Sequence, residues 1–339
     1  MGERKGFAMY ELVRAGERSW YVDCPAKMGI WEAGEGAVYL IDSGGDKEAG
    51  RKVRQILEKN RWTLRGIVNT HSNADHIGGN QYLQRQTGCR VFAGGINGAF
   101  TRFPLLEPSF LYGGYPCAPL RHKFLLAQPS EAVGFDHPDF PRELELIPLP
   151  GHFFDMVGVR CPDGTVFLAD CLSSERTLEK YGFSFLYDVA AYLETLRMVE
   201  KMEAGLFVPA HAEATADIAP LARKNREKVE ELAGAVLDLA GEGNTFEAIL
   251  QGAFARYGLT MDFQQYVLVG STIRSYLSWL LDTGRAEAEF RDDLLLWRRK
   301  TEQPNQETAA ALLEGKRLAR DPAVKKCDDA EEALRELKK

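Results

Sequence analysis

Residues 70 to 76 read THSNADH, which places two imidazoles, a carboxylate and an amide within six positions, as His71, Asn73, Asp75 and His76. The same residue types return in three distant segments: His152 in PGH, Asp170 in LAD and His211 in PAH. Imidazole nitrogens and carboxylate oxygens are the ligands of borderline and hard divalent cations. Any one of these histidines alone would be an ordinary hydrogen-bonded group of the core or surface. As an ordered set with two aspartates they point to a centre for one or two divalent ions. Such an ion brings the pKa of water from about 15.7 to about 7, and paired ions about 3.5 to 4 Å apart clamp both reacting oxygens. The chemistry expected is hydrolysis at a carbonyl or phosphoryl centre, with Asp75 a candidate to take up a proton during turnover.

The elements around these residues explain how distant positions could meet. From residue 7 to 43 the segments YELVRAG, SWYVDC, GIWEAGEG and AVYLIDSGG read as a meander of short strands closing on Asp42. DKEAGRKVRQILEKN sets Val53, Ile56 and Leu57 at helical spacing, and GIVNT is a short buried strand leading into the first motif. IGGNQYLQRQTG follows as a helix stopped by Gly88, then CRVFAG as a strand. Strands resume in ELELIPLPGH, MVGVRCPDG and TVFLADC, followed by a helix over 189 to 204 and the strand LFVPAH. Alternating strands and helices predict an α/β layered fold. Each candidate ligand lies just beyond a strand, where such folds gather chemistry. Cys171, beside Asp170, should face the other side of its strand as a buried thiol rather than a ligand.

Residues 95 to 142 break the rhythm with a run dense in Pro, Gly and aromatics, expected to be an irregular, lid-like insertion. Tyr112, Tyr115, Arg121 and Lys123 would set an aromatic wall and cations over the site, suiting a small anionic substrate. His122 and His137 read as solvated loop residues. After residue 216 the chain turns helical, in LARKNREKVEELAGAVLDLA, TFEAILQGAFARYG and QQYVLVGSTIRSYLSWLLDTG, and then hairpin-like in RAEAEFRDDLLLWRRK.

In order and spacing, His71 to His76, His152, Asp170 and His211 resemble the metallo-β-lactamase superfamily, whose pattern is HxHxDH, then His, Asp and a final His. LIDSGG around Asp42 resembles the structural aspartate turn that precedes the first metal motif in that family, and the likeness covers residues 7 to 213. The resemblance implies a four-layer αββα sandwich and a hydrolase delivering metal-bound hydroxide to an ester or thioester. Cleavage of RNA or another phosphodiester is the alternative within enzymes. It further implies one metal site from His71, position 73 and His152, a second from Asp75, His76 and His211, and a bridging Asp170. Asn73 departs from the pattern, because a neutral amide oxygen stands where the family has imidazole. Either the first site binds more weakly through oxygen, or the second works alone. Retention of His71, His152 and Asp170 favours the first outcome, while a non-catalytic metal-binding or sensor protein with a degenerate first site is the remaining reading. The flavodiiron branch carries an oxygen ligand, Glu, at this position and holds iron. Zinc is therefore the first expectation, with iron or manganese beside it, although no flavodoxin-like stretch is visible after residue 216.

STIRSYLSWLLDTGRAEAEFRDDLLLWRR resembles the winged-helix unit that follows the catalytic domain in some metallo-β-lactamase hydrolases, with Tyr276, Leu277, Leu280, Leu281, Leu296 and Trp297 as its core. Residues 241 to 300 hold seven Lys or Arg against eight Asp or Glu, which leaves no basic face for phosphates. A packing role or a homodimer contact is expected there. Residues 301 to 339 read as amphipathic helices broken at Asp321 and Pro322, and resemble the toxin-binding stretch of RelB-type antitoxins. A solvated helical extension is the plainer reading, and a protein-partner segment is the other. The chain thus divides into a catalytic domain over 1 to 215, a winged-helix-like part over 216 to 300 and a tail.

Composition narrows the setting. A chain of 339 residues, 45% apolar and 27% charged, builds its core without staples. Its six cysteines form no CxxC pair, so free thiols are expected rather than a disulfide framework. A net charge of −7 opposes attraction to nucleic acid or an anionic membrane. The charged opening MGERKGFAMYELVRAG lacks an apolar run of signal or membrane length, so the cytoplasm is the expected location.

Overall fold

Two β-sheets packed face to face carry the candidate residues, and helices cover both outer faces. The computed structural model describes residues 10 to 300. Strands β1 (Glu11–Arg14), β2 (Ser19–Asp23), β3 (Met28–Gly34) and β4 (Ala37–Ile41) form the expected antiparallel meander. Helix α1 (Lys47–Asn60) begins where Asp46 accepts hydrogen bonds from the backbone N–H groups of Glu48 and Ala49, and turns Val53 and Leu57 inward. After it, β5 (Thr63–Val68) lies parallel to β4. Helices α2 (Ala74–Ile77) and α3 (Asn80–Thr87) lead to β6 (Arg90–Phe92), and α4 (Gly95–Arg102) and α5 (Leu106–Tyr112) to β7 (Ala132–Val133). These strands complete a seven-stranded sheet in the order β1 to β7.

The second sheet runs β11-β10-β9-β8, from β8 (Glu145–Pro148), β9 (Val157–Arg160), β10 (Thr165–Ser173) and β11 (Leu206–His211). Between β10 and β11 lie α6 (Glu175–Tyr181) and α7 (Val189–Val199). Period-two alternation sorts the side chains between layers. In β4, Val38 and Leu40 pack with Val53 and Leu57 of α1, whereas Ile41 joins Phe167 of β10 and Val208 of β11 between the sheets. In β10, Val166 and Leu168 face Leu193 and Leu196 of α7. This is the αββα order expected from the sequence.

Beyond β11 come α8 (Ala219–Ala240), β12 (Asn244–Thr245), α9 (Phe246–Tyr257), α10 (Phe263–Asp282) and the hairpin β13 (Ala286–Arg291) and β14 (Leu294–Arg299). β12 pairs with β14, giving a small sheet in the order β12-β14-β13. One core runs from Leu168 and Leu196 through Val236 of α8 to Ile273, Tyr276, Leu277 and Leu280 of α10. Leu281, expected in that core, is instead 40% exposed, because it lies on the outer face of α10 beside the buried Leu280. Residues 301 to 339, including the antitoxin-like segment, lie outside the described residues.

Three boundaries differ from expectation. Residues 95 to 142 contain two helices and a sheet strand, and α4 and α5, with eight and seven residues, are too short to show a sustained period. Helix α7 stops at Val199 rather than near 204, where Lys201 and Met202 close tight turns onto Met198 and Val199. Helix α3 starts at Asn80 rather than Ile77, because Gly78 and Gly79 press against the turn after β4. A Cβ on Gly79 would fall 2.3 Å from the Ser43 carbonyl oxygen. Among the described residues no helix is long and apolar enough to cross a membrane. The five described cysteines, Cys24, Cys89, Cys117, Cys161 and Cys171, are free thiols.

Candidate metal centre

The first sheet delivers its residues through the turn after β4. Asp42 closes that strand in the left-handed region, φ 59°, and accepts the backbone N–H of Thr70 at 2.8 Å and its hydroxyl at 2.7 Å. This fixes the segment from Asn69 to Ser72, all buried, at the mouth of β5. Helix α2 then places Asp75 and His76 one turn from His71.

The second sheet answers from the turn after β8, from an irregularity inside β10 and from the end of β11. Gly151, φ 123°, lets the turn after β8 press on α7, where a Cβ would meet the Tyr192 backbone at 2.4 Å, and His152 follows. Ala169, φ 49°, marks a register shift between β10 and β11. Such bulges re-aim a side chain, and here the next residue, Asp170, faces the centre. Cys171 points the other way into the helical core, its thiol pushed up by burial. His211 ends β11.

Six side chains therefore meet. Asp170 lies at the middle, with Oδ1 2.8 Å from His76 Nε2, and Oδ2 3.1 Å from His211 Nε2, 3.6 Å from His152 Nε2 and 4.0 Å from His71 Nε2. Asp75 Oδ2 stands 3.4 Å from His211 Nε2 and 3.8 Å from His76 Nε2. Two groups of donors result, Asp75, His76, Asp170 and His211 in one, and His71, His152 and Asp170 in the other. Within each, the donor atoms lie within 4.8 Å of one another. Asp170 belongs to both.

Each imidazole is held by its other nitrogen. His76 Nδ1 is 2.8 Å from Asp42 Oδ2, His152 Nδ1 3.0 Å from the Phe185 carbonyl oxygen, and His211 Nδ1 2.8 Å from the Pro25 carbonyl oxygen. His71 Nδ1 is 3.1 Å from the Thr70 hydroxyl. That hydroxyl spends its only hydrogen on Asp42, so it accepts from His71. All four Nδ1 atoms are thereby donors, and all four Nε2 atoms face inward, the orientation that metal ligation requires once any proton on Nε2 has left.

The fit to a cation shows in what is left unpaired. His71 Nε2, His76 Nε2, Asp170 Oδ1 and Asn73 Oδ1 are buried and have no hydrogen-bond partner, since His76 and Asp170 approach without hydrogen-bond alignment. Buried polar atoms are normally satisfied, so the orphans His71 Nε2, His76 Nε2 and Asp170 Oδ1, which belong to one cluster, suit a divalent ion. Asn73 turns its Nδ2 to Glu107 Oε1 at 2.8 Å.

Charge in the cluster is divided accordingly. Burial pushes His71 and His152 down toward the neutral imidazole. Burial also opposes charge on His76 and His211, but Asp170 and Asp75 outweigh it, so His76 stands well above its usual value and His211 is raised to about 10. The same pairs outweigh burial at the carboxylates, holding Asp170 well below its usual value and Asp75 at about 2. Burial drives Glu107 well above the ordinary carboxylate range, against the hydrogen bond from Asn73.

The surroundings are aromatic. Phe153, fully buried, sits 6.0 Å from the His71 ring and T-stacks on Phe154 and Phe110. A small cavity of about 50 Å³ is lined by His152, Asp170 and His211 with Ser173, Ser184 and Tyr276. A groove of about 770 Å³ between α5, the start of α7 and α10 is lined by Phe110, Tyr112, Tyr187, Arg274 and Trp279. Of the expected lid residues, Tyr112 borders this groove. Arg121 donates to the Tyr115 hydroxyl at 2.9 Å and Lys123 pairs with Asp46 at 2.8 Å, so both cations are engaged within the protein. His122 is half-buried, with Nδ1 accepting the Phe124 N–H, and His137 accepts the Asp139 N–H. The residues that sequence reasoning missed are Glu107, Thr70 and the carbonyls of Pro25 and Phe185. Only a lone Glu in an apolar, Pro-containing run, LLEPSF, hinted at the first.

Comparison with known proteins agrees with this geometry. Hydroxyacylglutathione hydrolase of Bradyrhizobium sp. (strain ORS 278) is 45% identical over 62 residues, 18% of this chain and 23% of that protein. The same-named protein of Rhodopseudomonas palustris (strain BisB18) is 42% identical over 76 residues, 20% of this chain and 29% of that one. The chain thus matches about a quarter of the length of these relatives. In fold it is similar to a beta-lactamase domain protein from Burkholderia ambifaria, with TM-score 0.66, 16% identity and coverage of 86% of this chain and 94% of that one. It is also similar to a metallo-beta-lactamase family protein from Thermus thermophilus, with TM-score 0.63, 15% identity and coverage of 86% and 98%. The family model of the metallo-beta-lactamase superfamily matches residues 29 to 211, a span that holds every donor of the cluster, and the chain belongs to that superfamily.

Proposed function

We propose that the protein is a metal-dependent hydrolase of a small thioester or ester. The observation that carries this reading is the pair of adjacent donor groups sharing Asp170. His71, His152 and Asp170, with Asn73 offering its oxygen, would hold one divalent ion, and Asp75, His76, His211 and Asp170 the other. Zinc is the first choice for both, with iron or manganese beside it. A divalent ion in such a place acidifies water and polarises a carbonyl. The chain's own residues do the rest. The four Nδ1 hydrogen bonds keep the imidazoles aimed, and Phe153 and its aromatic neighbours limit water on one side. Asp75, 44% exposed and 3.4 Å from His211, can pass a proton to solvent.

A thioester is favoured over a phosphodiester by the local likeness to hydroxyacylglutathione hydrolases and by the shape of the site. The 50 Å³ cavity beside His152 and Asp170 has room for about three to five non-hydrogen atoms, given roughly 10 to 15 Å³ for each water-sized group. That suits a short acyl group. The larger groove under α5 would take the leaving portion. Residues 216 to 299 are read as winged-helix-like, since three helices are followed by a hairpin whose second strand also pairs with β12. Their role is packing beside the site, in a cytoplasmic enzyme.

The test is a panel of short-chain acyl thioesters, with thiol release followed against a nitrophenyl phosphodiester, after loading with zinc, manganese or iron. Thioester cleavage lost in Asp170→Asn is expected. Cleavage of the phosphodiester alone would overturn the substrate class, and no cleavage by any loaded form would overturn the hydrolase reading.

A further inference from the structure

Asn73 precedes α2 at its N-cap, where an asparagine ordinarily turns its side-chain oxygen onto the first free N–H groups of the helix. Here it makes no such bond. Its Nδ2 donates to Glu107 Oε1 at 2.8 Å, and its Oδ1 is left buried without a partner. Glu107 comes from α5, thirty-four residues away in sequence, and is only 4% exposed. In that bond the Glu107 carboxyl is the acceptor.

An amide nitrogen has no lone pair for a cation, and only the oxygen can serve as a ligand. Which atom is left free as a donor is therefore decided by what holds the other. We propose that Glu107 is a positioning residue that turns the Asn73 amide so that its oxygen completes the donor group of His71, His152 and Asp170. The pair Asn73–Glu107 then does what a single imidazole does elsewhere in the superfamily. Without an acceptor at position 107 the amide would rotate and cap α2, leaving that group with three donors. This inference rests on the metal centre proposed above.

Cobalt(II) alone is titrated into the full-length metal-free chain, with equivalents read by visible absorption and calorimetry. The wild type should take up two. Glu107→Met keeps the volume and removes the acceptor, and should weaken one equivalent about 10- to 100-fold, the usual effect of losing an outer-shell partner, with the other unchanged. Glu107→Gln keeps an acceptor oxygen and should hold both within about threefold. Asn73→His in the Glu107→Met background should restore two equivalents, because imidazole needs no such clamp. Unchanged binding in Glu107→Met would overturn the proposal, as would equal loss in Glu107→Gln, which also decides the matter if the Met variant does not fold. One equivalent in the wild type would remove Asn73 as a donor while leaving hydrolysis at the other group standing. Uptake of none would overturn the metal centre itself.

Discussion

His211 Nδ1 lies 2.8 Å from the carbonyl oxygen of Pro25, which ties the end of β11 to the turn between β2 and β3 in the opposite sheet. Two further bonds stitch the same seam: the Lys27 N–H to the Ala210 carbonyl at 3.1 Å, and Lys27 Nζ to the Ala212 carbonyl at 2.9 Å. Lys27→Met should leave the backbone bond and remove the other, together with the ion pair of Lys27 Nζ with Asp23 at 3.6 Å. The expected loss is about 1 kcal/mol of stability, the net worth of one hydrogen bond, measured by urea unfolding. No effect on unfolding would show the seam to be held by the backbone alone.

Asp42 serves three donors, so its removal should be felt twice. Asp42→Ala frees the His76 ring and should lower metal affinity about 10- to 100-fold. It also leaves the Thr70 N–H buried without a partner, at about 1 to 3 kcal/mol. Competition against a chromogenic chelator and a denaturant titration read the two effects separately.

The raised His211 sets a pH dependence for the metal-free protein. Its folded value of about 10 exceeds the ordinary histidine value, so its pairing with Asp170 and Asp75 stabilises the fold fully below about 6.5. That contribution is lost as pH rises through 10. A cation held by Asp75, His76, Asp170 and His211 must displace this proton, so at pH 8 binding to that group should release at least one proton and tighten toward pH 10. Calorimetry in buffers of different ionisation enthalpy measures the release, and a binding constant flat from pH 7 to 10 would contradict it.

Phe153 fills the space between His71, Phe110 and Phe185. Phe153→Ala should cost about 3 to 5 kcal/mol, as full truncation of a buried aromatic does. Phe153→Leu should cost less. Thermal melts of both variants, each saturated with zinc, separate this packing loss from any loss of metal.

Much of the frame was legible because its signals are local. The alternation in AVYLIDSGG and TVFLADC assigns faces that the structure keeps, and a contiguous motif brings His71, Asp75 and His76 together by itself. The order of strands and helices indicates an α/β layering, whereas the paired sheets were implied by the resemblance to the metallo-β-lactamase superfamily. Glu107 was not legible, since its meaning arises only when α5 folds across α2, and nothing in its own neighbourhood has a period to read. The carbonyls of Pro25 and Phe185 were hidden for a different reason: a backbone oxygen carries no residue type. Helices α4 and α5 escaped because two turns are too few to stand out from a Pro- and Gly-rich run.

His71, Asp75 and His76 hang from the seven-stranded sheet, and His152, Asp170 and His211 from the four-stranded one. Neither half can cradle a cation unaided. An ion seated there would act as a clasp across the sandwich, and its capture would be a checkpoint that only correctly mated halves pass. Chelation should therefore loosen the whole molecule rather than one loop, with a saturating ion at a hundred times its Kd contributing about 2.7 kcal/mol to the closed form.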